Sequence, residues 1–407
     1  MLKTFSKGGV HPAENKRTAD KPIEKLGLPK QVTIPIAQHI GAPSKPVIKK
    51  KDQVKVGDII AKSDGFVSAN IHSSVSGTVA KVDNALDPSG YRKPCVIINV
   101  EGDEWNENID TSPDIIKECN LSAQDITNKI LESGIVGMGG ATFPSHVKLS
   151  VPEGKKVDTL IINGVECEPY LTSDHRVMLE RAEEMLVGIE LLMKALGVDK
   201  ALIGIENNKP DAIKHLDNLV KDKTGIEVYP LKVKYPQGGE KQLIKALINR
   251  EVPSGGLPLD VGVVVHNVGT ALAVYEAIQK NKPLLERVVT VTGKSLQNPS
   301  NFMVRIGTPV KDVIEAAGGL PEDTGKVVNG GPMMGKALNT LEVPVVKGTS
   351  GILVIPEKEA KREAERNCIR CAKCVSVCPM GLEPYLLKKL AQLERFEELE
   401  KNELMDC

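Results

Sequence analysis

The tightest constraint on this chain is a run of four cysteines near its end, Cys368-x-x-Cys371-x-x-Cys374-x-x-x-Cys378-Pro379. Three thiols spaced by two residues can wrap one small centre, because the intervening backbone turns inward and its amides point at that centre. This is the spacing that holds a cubane [4Fe-4S] cluster. Zinc is the alternative, but zinc typically takes two separated cysteine pairs and gains nothing from a fourth Cys followed by Pro. Of the eight cysteines, these four and Cys407 fall in the last forty residues. Such clustering suggests metal ligation rather than a disulfide framework. The scattered Cys95 and Cys119 read as small core residues, and Cys167, between two glutamates, as a loop residue without an assignable role.

In two-cluster ferredoxins the Cys before Pro ligates the other cluster, so Cys368, Cys371 and Cys374 call for a fourth thiolate from a second motif. Cys407 follows a helical spacer, Leu382 to Leu404, and stands where a second such run begins. The expectation for 357–407 is therefore the first part of a two-cluster module. In the alternative, Cys378 closes a single cluster and Cys407 is a spare thiol.

Lys+Arg and Asp+Glu both number 53, so no global field favours nucleic acid or an anionic membrane surface. No nucleic-acid partner is expected. At 407 residues and 41% hydrophobic content the chain has room for several cores. The N-terminal Met1-Leu2-Lys3-Thr4-Phe5-Ser6-Lys7-Gly8-Gly9 has no signal-type apolar core, and nowhere does the chain reach the roughly 18 apolar residues of a spanning helix. The expectation is a cytosolic chain that meets a membrane only through partners.

Five segments follow from the pattern. Residues 1–31, rich in Lys, Pro and Gly, read as an irregular arm over the surface. In 32–105, short β-prone runs (Val54 to Ile60, Gly65 to Ala69, Val75 to Val79) alternate with turns, which predicts a small all-β module. Its Val-x-x-Gly-Asp and Ser-Gly-Thr-Val turns resemble the halves of a biotinyl or lipoyl carrier domain. Phe66 falls near the place of the modified lysine, which favours a structural barrel over a swinging arm. Over 110–285, apolar strands such as Thr159 to Ile162 and Val261 to Val265 alternate with helical patterns at Val177 to Leu196 and Glu240 to Asn249. That is the signature of an α/β domain with a mainly parallel sheet. Residues 288–340 return to short strands with one helix, Val310 to Ala317, and suggest a β-grasp-like module ending in Gly330-Gly331-Pro332-Met333-Met334-Gly335.

Within the α/β segment, Gly134 to Pro144 packs glycines at 134, 137, 139 and 140 ahead of Lys148. Glycines let backbone amides approach a phosphate and a lysine adds counter-charge, although tight turns collect glycine too. Asn163-Gly164-Val165-Glu166-Cys167-Glu168-Pro169 follows an apolar strand, where open sheets bind ligands, and its polar groups suit ribityl or ribose hydroxyls and an isoalloxazine edge. Taken alone it also reads as a solvated acidic turn. Gly238-Gly239-Glu240-Lys241 and His266-Asn267-Val268-Gly269-Thr270 come next.

These four segments, in this order, resemble the flavin-bearing, NADH-binding subunit of respiratory complex I. Its glycine loop is matched by Gly137, Gly139, Gly140, Phe143, Pro144 and Lys148, and its Asn-x-x-Glu-x-Glu-Pro by Asn163, Glu166, Glu168 and Pro169. Gly238 and Glu240 match its Gly-Glu-Glu segment, and Asn267, Val268 and Thr270 its Asn-Asn-Val-Glu-Thr. Met138 stands for an arginine, His266 for an asparagine, Gly239 and Gly269 each for a glutamate. The order of modules, from barrel to flavin domain, β-grasp module and ferredoxin-type tail, resembles the RnfC (RsxC) family over nearly the whole chain.

The resemblance implies a multidomain α/β protein with an N-terminal lipoyl-like barrel-sandwich, a central Rossmann-like FMN/NADH-binding domain, an SLBB-like β-grasp module and a C-terminal helical iron–sulfur module. It implies FMN, two [4Fe-4S] clusters in the full module, NAD(H) as substrate, and integral-membrane and ferredoxin-like Rnf partner subunits, with ferredoxin engaged indirectly. Gly137, Gly139, Gly140 and Lys148 are then expected at the flavin phosphate and backbone, Asn163 and Asn267 at flavin polar atoms, and Glu166, Glu168 and Glu240 at the nicotinamide side, with Phe143, Gly238 and Thr270 also expected to bind cofactor. Cys368, Cys371, Cys374, Cys378 and Cys407 are the expected metal ligands. The implied place is the cytoplasmic face of the cell membrane, held peripherally. A soluble flavin reductase or diaphorase subunit of a hydrogenase-type complex, and a scaffold that has lost its cofactors, are the competing readings.

Overall fold

The computed structural model describes residues 2–407. Its N-terminal arm is less irregular than composition suggests. Lys3 forms a parallel bridge with Leu231 and Val10 an antiparallel one with Tyr235. β1 (Ile23–Lys25) then pairs in parallel with Asn301 to Met303. Each partner lies over two hundred residues away, so no local periodicity announces it.

The barrel-sandwich comprises β2 (Gln31–Pro35), β3 (Lys45–Pro46), β4 (Gln53–Val54), β5 (Ile59–Lys62), β6 (Ile71–His72), β7 (Ser76–Leu86) and β8 (Arg92–Gly102). They form two antiparallel sheets, β2-β8-β7-β4 and β3-β5-β6, around Val32, Ile34, Val54, Ile60, Val79, Val96 and Ile98. Gly65 to Ala69, expected as a strand, is a bend-rich tip instead. Its Phe66 sets its ring edge-on to His146 and its carbonyl 3.0 Å from His146 Nε2. The tip is thus docked on the next domain, which suits a structural barrel.

The α/β domain follows with α1 (Ala123–Glu132), α2 (Ser145–Leu149), β9 (Thr159–Asn163), α3 (Ser173–Glu180), α4 (Ala182–Leu196), β10 (Ala201–Glu206), α5 (Pro210–Val220), β11 (Ile226–Leu231), α6 (Glu240–Ile248), β12 (Val263–Asn267) and α7 (Val268–Gln279). The single helix expected from Val177 to Leu196 is two, broken where Arg181 leaves helical geometry at φ −127°. Its guanidinium there serves Glu184 and Glu276. The sheet is wholly parallel, in the order β11-β10-β9-β12. Leu160, Ile161, Ile162, Leu202 and Ile203 are buried on its two faces, as continuous apolar strands of a covered parallel sheet must be.

β13 (Glu286–Gly293), β14 (Ser300–Arg305), α8 (Val310–Ala316), β15 (Thr324–Asn329), β16 (Lys336–Ala337) and β17 (Gly351–Pro356) build the third module. With β1 they make a mixed six-stranded sheet, β1-β14-β13-β17-β15-β16. Lys347 locks three modules together: its Nζ donates to Asn70 O at 3.0 Å and to Gly134 O at 2.6 Å, and its backbone N–H to Gln38 Oε1 at 2.9 Å.

After α9 (Glu357–Ala360), residues 361–372 carry no regular structure, and α10 (Lys373–Val377), α11 (Pro384–Gln392) and α12 (Phe396–Lys401) close the chain. The spacer expected as one helical stretch splits after Gln392, where Glu394 turns to φ 54°. Leu382, Leu387, Leu390 and Leu399 give this module a small core. Among the described residues no helix is long and apolar enough to cross a membrane.

Candidate functional site

The chain lays down β9, moves outward to β10 and β11, and returns to place β12 on the other side of β9. The reversal creates a switch point between β9 and β12, the crevice where open parallel sheets bind ligands. Asn163 and Asn267 end these two strands in direct register. Asn163 Nδ2 donates to Gly238 O at 2.9 Å, which draws the start of α6 to the crevice. Asn267 caps α7 by accepting from Gly269 N at 2.8 Å, and its Nδ2 donates to Asp174 Oδ2 at 2.7 Å.

The glycine loop is folded over the same strand ends. Gly137 N donates to Phe143 O at 2.9 Å, closing the loop, and Met138 N donates to Thr270 Oγ1 at 3.0 Å, tying it to α7. A Cβ on Gly139 would stand 2.6 Å from Asn267 Nδ2, so only glycine lets the backbone lie this close, whereas Gly140 faces open space. Lys148 Nζ sits 2.8 Å from Glu240 Oε1 and 3.1 Å from Val265 O, bridging α2 to the start of α6 and the end of β12. Gly137, Gly139, Lys148, Asn163, Gly238, Glu240, Asn267 and Thr270 therefore belong to one interconnected cluster.

Phe143, Glu166 and Glu168 are differently placed. Phe143 is half-buried and supplies its carbonyl to the loop. Glu166 accepts from Asp174 N at 2.8 Å and His175 N at 3.4 Å, so it caps the first turn of α3. Both oxygens of Glu168 accept from the third module, from Met333 N at 3.1 Å and Met334 N at 2.7 Å, and burial raises its carboxyl above the usual range. Lys16 of the arm holds this loop from beneath, donating to the carbonyls of Glu166, Glu168 and Leu171 at 2.8, 2.9 and 2.6 Å. A cleft of about 180 Å³ lies along the arm, lined by His11, Glu14, Lys16, Cys167, Glu206 and Tyr235. Burial pushes the Cys167 thiol up to about 12, which leaves it an inert thiol.

Sequence reasoning missed Asp174, Arg287 and Lys16. Asp174 is half-buried, and its carboxyl is pushed up to about 7 by burial and by the Glu166 carboxylate. Arg287, which is buried, donates to Met138 O at 3.4 Å and to Lys347 O. The only local hint of Asp174 was a helix start at Thr172-Ser173-Asp174.

The residues present fit a flavin mononucleotide. The glycine loop forms a cradle that side chains would fill, with Lys148 beside it. Three buried polar atoms on residues next in sequence to Pro144, Gly238 and Asn267, namely Ser145 Oγ, Gln237 Nε2 and His266 Nε2, have no protein partner among the described residues. Burial pushes His266 down to about 3, so it is a neutral imidazole. The cysteine run is judged on its donor set. Cys368, Cys371 and Cys374 are exposed, Cys378 is half-buried, and among the described residues no three Cys, His, Asp or Glu converge as a metal-holding group. Four thiols at ferredoxin spacing are nonetheless the chemistry an iron–sulfur cluster takes, and a site of this kind commonly forms only with its metal.

A parallel sheet with a polar pair and a glycine cradle at its switch point, set between a barrel-sandwich and a β-grasp-like sheet, defines the class: a multidomain flavin-domain protein of the complex I type. The family models agree. The RnfC barrel sandwich hybrid domain matches residues 3–103, the Nuo51 FMN-binding domain 130–276 and the SLBB domain 288–337.

The chain is 49% identical to a subunit of the proton-translocating ferredoxin:NAD(+) oxidoreductase complex of Clostridium ljungdahlii, over all of this chain and 88% of that protein. It is 46% identical to the Na(+)-translocating counterpart of Acetobacterium woodii, over 98% of this chain and 90% of that one, and 42% identical to a subunit of the ion-translocating oxidoreductase complex of Rhodobacter capsulatus, over 95% and 75%. The chain belongs to the RnfC family, whose members are subunits of ion-translocating oxidoreductase complexes. A solved NAD+-reducing [NiFe]-hydrogenase shares the fold, with a TM-score of 0.50 at 23% identity over 58% of this chain and 47% of the other.

Proposed function

We propose that this chain is the electron-transferring NAD(H)-side subunit of an Rnf-type complex, an oxidoreductase subunit working with FMN and [4Fe-4S] clusters beside ion-translocating partner subunits. The observation that carries the reading is the paired Asn163 and Asn267 at the switch point, with the glycine loop and Lys148 folded over them. FMN, when bound, supplies the exchange between the hydride pair of nicotinamide and the single electrons of a cluster.

The protein's part is positioning. We assign Gly137, Gly139 and Gly140 to close backbone approach to the phosphate, Lys148 to its counter-charge, and Asn163, Asn267 and Thr270 to the floor on which the ring is oriented. Glu240 and Gly238 border the nicotinamide side. Glu166 and Glu168 act at one remove, the first by fixing the start of α3 and with it Asp174, the second by fastening the Met333–Met334 turn. Cys368, Cys371 and Cys374, with Cys378 and Cys407, are assigned to iron. Attachment is peripheral, at the membrane face that meets NADH, the cytoplasmic one. The RnfC barrel at 3–103 favours the Rnf complex over a hydrogenase-type diaphorase.

The test is an anaerobic absorbance spectrum of the purified protein with iron and flavin quantified, followed by NADH. Bleaching of a flavin band and then of the broad iron–sulfur shoulder is the expected result. Bound cofactors that NADH leaves oxidised would overturn the NAD(H)-side assignment.

A further inference from the structure

The N-terminal arm crosses from the flavin domain to the cysteine module and back. Its entry is fixed by Lys3, whose carbonyl accepts from Lys232 N at 3.0 Å and whose Nζ donates to Leu247 O at 2.7 Å. Its exit is fixed by Val10, which exchanges two backbone bonds with Tyr235, both 2.8 Å, three residues before Gly238. Between these anchors the arm touches the module. Gly9 N donates to Val377 O at 2.7 Å, and the Lys7 side chain lies over Gly381. Gly8 adopts φ +66°, and a Cβ there would stand 2.6 Å from the carbonyl carbon and oxygen of Cys378 and from Val377 O. Backbone meets backbone on both sides, so nothing flexible can yield to a side chain. Further contacts join the module to the flavin domain without the arm: Gln242 Nε2, four residues after Gly238, lies 3.1 Å from Met380 Sδ, and Lys241 Nζ lies 3.7 Å from Asp406 Oδ1.

We infer that the Gly8-Gly9 segment is a strap that fixes the last cysteine of the cluster motif against the Tyr235–Gln242 edge of the flavin site, and thereby sets the separation electrons must cross. Gly8 and Gly9 are positioning residues. They touch no reacting atom and act by allowing a backbone contact that no other residue permits. The arm therefore has a role in the reaction although it lies outside the switch-point cluster. The inference rests on the proposed electron path for its kinetic consequence but not for its structural one.

Gly8→Ala is the direct test in the full holoprotein, with Gly27→Ala, an arm glycine with nothing within 4 Å of its added Cβ, as control. Two quantities are read: the rates of flavin and cluster bleaching after NADH, and amide hydrogen exchange over 375–381. The expected result for Gly8→Ala is flavin bleaching within about twofold of wild type, cluster bleaching slowed at least tenfold, and faster exchange over 375–381. Gly27→Ala should match wild type in all three. Lys7→Ala adds no strain, and should shift cluster bleaching and exchange the same way by a smaller factor, which keeps the test available if Gly8→Ala folds poorly. Unchanged exchange over 375–381 in both variants, or flavin and cluster bleaching slowed in equal proportion, would overturn the strap. If NADH bleaches no flavin in the wild type, the proposed function fails, and exchange alone decides on the strap.

Discussion

Asn267 and Asp174 are joined by a 2.7 Å hydrogen bond beneath Gly139, with Asn267 buried and Asp174 half-buried. Asn267 divides its amide between two tasks, its oxygen on Gly269 N and its nitrogen on Asp174. Truncating Asp174 to Ala should release Asn267 from its rotamer and loosen flavin retention. Flavin-to-protein ratio after gel filtration measures this.

The same carboxyl predicts a pH dependence. Asp174 titrates near 7 in the folded chain, above its ordinary value of 3.8, because burial and Glu166 oppose its charge. Between these two values the folded state holds a proton that the unfolded state has released. Its contribution to stability is therefore complete at the acid end of the window and is lost as pH rises through about 7. Asp174→Asn can still accept from Asn267, and should flatten the fall of Tm across that window while keeping flavin. An identical slope in wild type and variant would refute the assignment.

Lys148→Ala removes the ammonium that bridges Glu240 and the end of β12. We expect flavin affinity to fall about tenfold or more, since charge-assisted bonds contribute about 1.5–3 kcal/mol each. Fluorescence titration of the flavin-depleted variant with FMN gives the number, and full flavin stoichiometry on purification would contradict the role.

Glu168→Ala should unfasten the Met333–Met334 turn. Two exposed backbone N–H groups exchange their carboxylate acceptor for water, which costs about 0.5–1.5 kcal/mol. The measurable signs are a lower Tm and faster proteolysis within 330–335, with flavin content largely kept.

Replacing Cys368, Cys371 or Cys374 by Ser should lower bound iron while leaving FMN at wild-type stoichiometry, because the cysteine run and the switch point lie in separate modules. Cys407→Ser separates the two ligation schemes: unchanged iron marks a spare thiol, and a loss of iron marks a ligand.

Local signals carried a good part of the proposed site. Asn163, Asn267, the glycine loop and Lys148 could be read because each stands where a strand ends or a helix begins, and such places leave a mark in the order of apolar and turn residues. Glu166 and Glu168 illustrate the limit. An acidic loop after a strand suits a nicotinamide pocket, but which way a carboxylate turns depends on donors brought by distant chain, here the start of α3 and the Met333–Met334 turn. The helix expected across Arg181 failed for the same reason, since apolar periodicity runs on through a break that its pairing with Glu276 fixes.

The sequence by itself determined the kinds of module: a barrel, a parallel α/β domain with a glycine-rich loop, a β-grasp-like module of short strands and a cysteine run at iron–sulfur spacing. These follow from period, turn residues and spacing within a few tens of residues. Only the tertiary structure decided how the modules meet. The buried Lys347 junction, the Asp174–Asn267 pair and the Gly8–Cys378 contact join residues up to several hundred positions apart. Such contacts depend on backbone reach and on burial after folding, and neither leaves a periodic trace in the chain.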